Sequence, residues 1–145
     1  MSGKTEESNG GCVCGALRFL AAGPLRPVVA CHCSQCRRAY TNYGAFTAVR
    51  RASLSIADPE ALAWYDSSPN VRRGFCRHCG SGLFYDMQSN DFVSVAAGAF
   101  DQPSGLRQLR HIFVADKADF YVIGDGLEQL PQDQGGDTWP GGRGS

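Results

Sequence analysis

Hydrophobic positions along this chain fall into short runs separated by glycine, proline and small polar residues, and none recurs at helical spacing over a long window. The runs read as strands at 17–20, 28–30, 45–49, 62–65, 71–75, 83–85, 92–96 and 109–114. The first stops at Gly23-Pro24, the second leads straight into Cys31, and the third follows Gly44. One helical turn is expected at 34–39. The pattern predicts a mainly β domain.

Both ends are polar, small and glycine-rich, with little to bury. We expect disorder over 1–10 and 131–145, and one folded domain over 11–130. Hydrophobic residues make up 43% and charged residues 19%, and the formal net charge is zero. Zero net charge argues against wrapping nucleic acid or docking on an anionic membrane. No apolar run is long enough to span a bilayer. The opening residues carry neither a basic start nor an apolar stretch, so a cytoplasmic, reducing location is expected.

In such a location cysteines are read as metal ligands before they are read as disulfides, and their seven-fold, odd count would strand one thiol in a bridged framework. They fall into three clusters: Cys12 and Cys14; Cys31, Cys33 and Cys36; Cys76 and Cys79. Residues two apart on an extended strand share a face, so each close pair can reach one ion. The 75–83 segment reads as a zinc knuckle in which Gly80 relieves the tight turn. Sequence alone also permits Cys12 and Cys14 to complete the central cluster. That grouping would give five thiols and two, overfilling one site and underfilling the other. Four and three is the better division: the four fill a closed tetrahedral site, and the three leave one position open. His32 alternates away from Cys31 and Cys33 and is expected to be exposed or to stand behind the ligands; His78 is treated likewise.

These residues carry a resemblance to a known family. Gly11-Cys12-Val13-Cys14-Gly15 with Leu17-Arg18-Phe19, the run from Cys31 to Arg38, the run from Phe75 to Leu83, and His111-Ile112-Phe113-Val114 with Lys117 and Asp125-Gly126-Leu127 resemble, in order, the glutathione-dependent formaldehyde-activating enzyme family. The resemblance implies a β-tent fold, two small antiparallel sheets joined by a structural zinc. It implies two zinc ions per chain, a structural one on Cys12, Cys14, Cys76 and Cys79 and a catalytic one on Cys31, Cys33 and Cys36. It also implies a carbon–sulfur lyase or synthase whose partners are glutathione and formaldehyde, with S-hydroxymethylglutathione as product. Phe120 departs from the pattern, which has a tryptophan there.

Charge agrees with that reaction class. Zinc with three thiolates is net negative and polarises water poorly, so hydrolysis is not its natural task, whereas an entering thiol would still be deprotonated. The expected step is a thiolate at the open position adding to formaldehyde. Glutathione carries two carboxylates, and 12 of the 14 basic residues are arginines, whose planar fork suits carboxylates. Arg37 and Arg38 are the nearest candidates in sequence for binding it, and the resemblance adds His111 and Lys117. Tyr40 and Tyr43 are candidate pocket walls, and Asp116 and Asp125 candidate proton relays. Two alternatives stand beside this reading: a non-catalytic zinc module for structure or protein interaction, and a nucleic-acid-binding protein using the pairs Arg37/Arg38, Arg50/Arg51 and Arg72/Arg73.

Overall fold

The computed structural model describes residues 6–133. Eleven strands, one short helix and several 3-10 turns follow one another in the order β1 (Glu7–Gly11), β2 (Arg18–Ala22), β3 (Val28–Cys31), α1 (Ser34–Ala39), β4 (Gly44–Arg50), β5 (Leu54–Ile56), β6 (Leu62–Ser68), β7 (Val71–Cys76), β8 (Gly82–Met87), β9 (Phe92–Ala96), β10 (Gln108–Ile112) and β11 (Glu128–Gln129). They form two sheets, ordered β1-β2-β5 and β11-β10-β3-β4-β9-β8-β7-β6. The mainly β, two-sheet expectation holds, and the helical turn lies where the pattern put it. The larger sheet is bigger than expected and mixed, because β10 runs parallel to both β3 and β11.

Disorder over 1–10 is corrected at its end. Glu7–Gly11 pairs with β2 in antiparallel register, Glu7 opposite Ala22 and Gly11 opposite Arg18. Hydrophobic patterning misses this strand because a glycine makes its buried contact: a Cβ on Gly10 would lie 2.5 Å from both the Ala99 carbonyl oxygen and Phe19 Cζ. The strand expected at 109–114 ends at Ile112. Phe113 adopts a left-handed backbone, φ 56°, and Val114–Asp116 makes a 3-10 turn. That turn donates amides to the carbonyls of Leu130 and Pro131. Of the expected C-terminal tail, 134–145 lies outside the described residues.

The core lies between the sheets. Phe19 of β2 is buried edge-on against Phe84 of β8, ring centroids 5.6 Å apart, and against Phe100 at 5.2 Å. Val49, Leu62, Leu83, Val93 and Val95 join the same cluster. Alternation then sends their strand neighbours to the opposite face of the large sheet. Tyr85 follows Phe84, and Phe92 and Ser94 flank Val93. These three line a cavity of about 460 Å³ on that second face. One sheet thus has the hydrophobic core on one side and a cavity on the other.

Candidate metal centres

Two turns bring four cysteines together. Cys12 and Cys14 sit between β1 and β2 of the small sheet, while Cys76 ends β7 of the large one and Cys79 follows in the turn to β8. All four Sγ atoms lie within 4.8 Å of one another, with Cys12 to Cys14 at 3.6 Å and Cys14 to Cys76 at 3.8 Å. A tetrahedron with zinc–sulfur arms of about 2.3 Å has edges of about 3.8 Å, so the set fits that ion. Backbone amides point at the sulfurs, Leu17 N to Cys12 Sγ at 3.3 Å and His78 N to Cys76 Sγ at 3.4 Å. Gly80 takes φ 81°, which permits the tight turn behind Cys79.

Ser81 couples the two turns. Its Oγ accepts from the Val13 amide at 3.1 Å, which leaves the hydroxyl proton for Cys79 Sγ at 3.2 Å. Hydrogen bonds from Ser81 lower the Cys79 thiol to about 5. Sequence reading missed this residue, since a serine in a knuckle looks like any turn residue. His78 contributes its backbone amide to the cluster through Cys76 and is not among the clustered ligand atoms.

The second centre is a trio. Cys31 ends β3, Cys33 caps the N-terminus of α1, and Cys36 lies buried on its first turn. The amide of Cys36 donates to Cys33 Sγ at 3.4 Å, which closes the loop and holds all three Sγ within 4.8 Å. Hydrogen bonds from Cys31 and Cys36 hold the Cys33 thiol far below its ordinary range, while Cys31 is pushed up by giving its proton to Cys33 and by burial. Three sulfurs gathered within 4.8 Å are a donor set that a soft dication fits. No fourth ligand joins them among the described residues.

All three cysteines face the cavity of about 460 Å³, together with Arg26, Arg73 and Arg110, each no more than 8% exposed. These arginines differ from the sequence candidates. Arg37 donates its Nε to the Asp116 carbonyl at 3.2 Å, and Arg38 is exposed on α1. Lys117 donates to the carbonyls of Ala118, at 2.9 Å, and Tyr121. None of Arg37, Arg38, His111 and Lys117 lines the cavity. A signal for Arg73 was present in the doublet Arg72-Arg73: on a strand, one of two adjacent side chains must point to the covered face. Arg72 pairs with Asp86 and stacks on Trp64, whereas Arg73 turns inward.

His32 is fully buried, so of the two expectations for it, exposed or standing behind the ligands, the first is corrected and the second agrees with its place. Its Nε2 lies 2.9 Å from His111 Nδ1, and His111 Nε2 lies 2.8 Å from Asp125 Oδ2. Gln108 Nε2 also lies 3.2 Å from that nitrogen. The shorter contact, to a carboxylate that can only accept, puts the proton on His111 Nε2. His111 Nδ1 then accepts from His32 Nε2, and His32 Nδ1 is left bare and without a partner. Burial, then the nearby His111 and Lys117, lower His32 to about 4. Tyr43 packs its ring against His32 at 4.9 Å, and Tyr40 packs against Phe46 at 5.4 Å. Neither tyrosine lines the cavity.

Residues 7–116 match the family described as glutathione-dependent formaldehyde-activating enzyme. The chain belongs to that family. It is 31% identical over 131 residues to an uncharacterized lyase of Schizosaccharomyces pombe, spanning 88% of this chain and 93% of the relative. A crystal structure of a Rhodobacter sphaeroides protein, 19% identical, superposes with a TM-score of 0.55 over 84% of this chain and 98% of that one. At that identity the likeness concerns the fold. In this member of the glutathione-dependent formaldehyde-activating enzyme family, two cysteine clusters among the described residues could hold metal ions, and they lie on opposite faces of one sheet.

Proposed function

We propose that this protein is a zinc-dependent carbon–sulfur lyase that joins formaldehyde to glutathione and reverses that addition. The observation that carries the proposal is the Cys31, Cys33 and Cys36 trio on the wall of a cavity large enough for a small peptide. Family membership and a relative named a lyase support it. Zinc held by the trio would supply Lewis acidity at one remaining position, where an entering thiol gives up its proton. Cys12, Cys14, Cys76 and Cys79 would hold the second ion for structure.

The chemistry asks little of the protein beyond placement. The glutathione sulfur bonds to the carbonyl carbon, the carbon–oxygen π pair moves to oxygen, and the proton released by the thiol ends on the new hydroxyl. Arg26 and Arg110 give the cavity a cationic wall suited to a thiol that carries carboxylates, while the Arg73 guanidinium faces the trio. His32 and His111, buried on the other side of β3, hold that strand in place beneath the trio. No described helix is long and apolar enough to cross a membrane, and we place the work in the reducing cytoplasm, where the thiols stay free.

Two-dimensional exchange NMR of glutathione with formaldehyde tests the proposal. The exchange between free and hydroxymethylated glutathione should accelerate with protein and return to the spontaneous rate with Cys36→Ser. Equal rates with and without wild-type protein would reduce the trio to a metal-binding module.

A further inference from the structure

Arg18, Arg50, Arg51, Arg72 and Arg110 each meet a carboxylate, on Asp101, Asp91, Asp86, Asp86 and Glu128. Arg73 is 7% exposed and, among the described residues, has no carboxylate in reach. A guanidinium taken out of water needs a counter-charge, because its desolvation otherwise goes uncompensated. Its acceptors are Cys36 Sγ at 3.5 Å, Tyr40 Oη at 3.4 Å and Gln35 Oε1 at 3.3 Å. It also lies over the Tyr85 ring at 4.9 Å, and its Nε is buried without a partner. Of these groups only Cys36 belongs to a cluster of candidate metal ligands, and a thiol that coordinates a metal ion is held as the thiolate. The buried charge is therefore matched to the cysteine trio.

We propose that Arg73 is a positioning residue of the trio, a built-in counter-cation that aims Cys36 and offsets the negative charge of three thiolates gathered on one dication. This rests on the proposed function, in which a fourth sulfur joins the same ion. Three thiolates on a dication leave one negative charge, and an incoming thiolate makes two. Arg73 returns the assembly to one. A lysine would deliver the charge as a point, whereas the arginine fork reaches sulfur, phenol and amide together. Gln35 and Tyr40 hold the fork in place, Gln35 from the exposed side of α1 and Tyr40 just beyond its end.

The test compares wild type with Arg73→Met, which keeps the stem without the charge, and Arg73→Lys, which keeps the charge without the fork. Each is loaded with cobalt(II) and titrated with glutathione while sulfur-to-cobalt charge-transfer absorbance is followed. We expect glutathione to bind Arg73→Met about 10- to 100-fold more weakly than wild type. Arg73→Lys should recover most of that loss, and circular dichroism and the ion on the four-cysteine centre should not change. Wild-type and Arg73→Met affinities equal within threefold would overturn the role of Arg73 alone. A wild type that holds two ions yet shows no glutathione-dependent band would overturn the proposed function and this role together. If Arg73→Met fails to fold, wild type loaded with cadmium-113 decides: a through-bond cadmium correlation to a guanidinium proton is expected, and its absence overturns the role.

Discussion

Arg73 and Cys76 stand three residues apart on β7 and open on opposite faces of the same sheet, Arg73 beside Cys36 in the cavity and Cys76 in the four-cysteine cluster. The strand that delivers the counter-charge to one centre is pinned by a ligand of the other.

That linkage makes the two centres unequal under mutation. Cys79→Ser should unfold the domain, because structural zinc contributes roughly 10–16 kcal/mol and a domain of this kind holds roughly 5–15 kcal/mol. Cys36→Ser should stay folded and bind one zinc fewer. Circular dichroism with metal analysis reads both, and a Cys79→Ser protein that folds normally would contradict the division.

Ser81→Ala removes the hydroxyl that lowers Cys79. Protons then compete better with the ion for that sulfur. In an acid titration of bound zinc, the variant should release the ion of the four-cysteine centre at a higher pH than wild type. Coincident release curves would show that Ser81 contributes nothing to retention.

His32 gives folding a pH dependence of definite sign. Its ordinary value of 6.5 falls to about 4 in the fold, so between those values the unfolded chain takes up a proton that the native one refuses. Stability rises with pH across that window and is complete above it, at about 1.4 kcal/mol per unit as an upper bound. His32→Gln should lose less stability than wild type between pH 7 and pH 5, measured by urea unfolding. Parallel losses would place the titration elsewhere.

The packing of β1 can be probed by one methyl group. Gly10→Ala puts a Cβ 2.5 Å from the Ala99 carbonyl oxygen and from Phe19 Cζ. Overpacking of this kind costs about 1–3 kcal/mol. A denaturant midpoint unchanged from wild type would mean that the sheets separate freely there.

Much of this was legible beforehand, for physical reasons that also explain the gaps. Cysteine spacing is a strong signal because ligand geometry is narrow, so the groups of four and three were readable before any strand was paired. β1 was missed because Gly10 packs through the absence of a side chain. β5 and β11 are too short to leave a pattern, and β11 is held by only two register pairs with β10. Proximity in sequence misdirected the arginine reading. Arg37 and Arg38 follow Cys36 on α1, yet the guanidinium that reaches Cys36 comes from β7, brought there by sheet order. His32 was placed correctly opposite Cys31, but its burial depends on His111 from β10, a parallel neighbour distant in sequence.

The order of strands also bears on how a newborn chain matures. Every cysteine has left the ribosome once Cys79 emerges, whereas β10, which flanks β3 and supplies Arg110 to the cavity wall, is made later. For that interval the nascent polypeptide displays seven candidate ligands before β10 has closed the wall beside the trio, so an ion met then would find the four and the three less fully separated than in the finished fold.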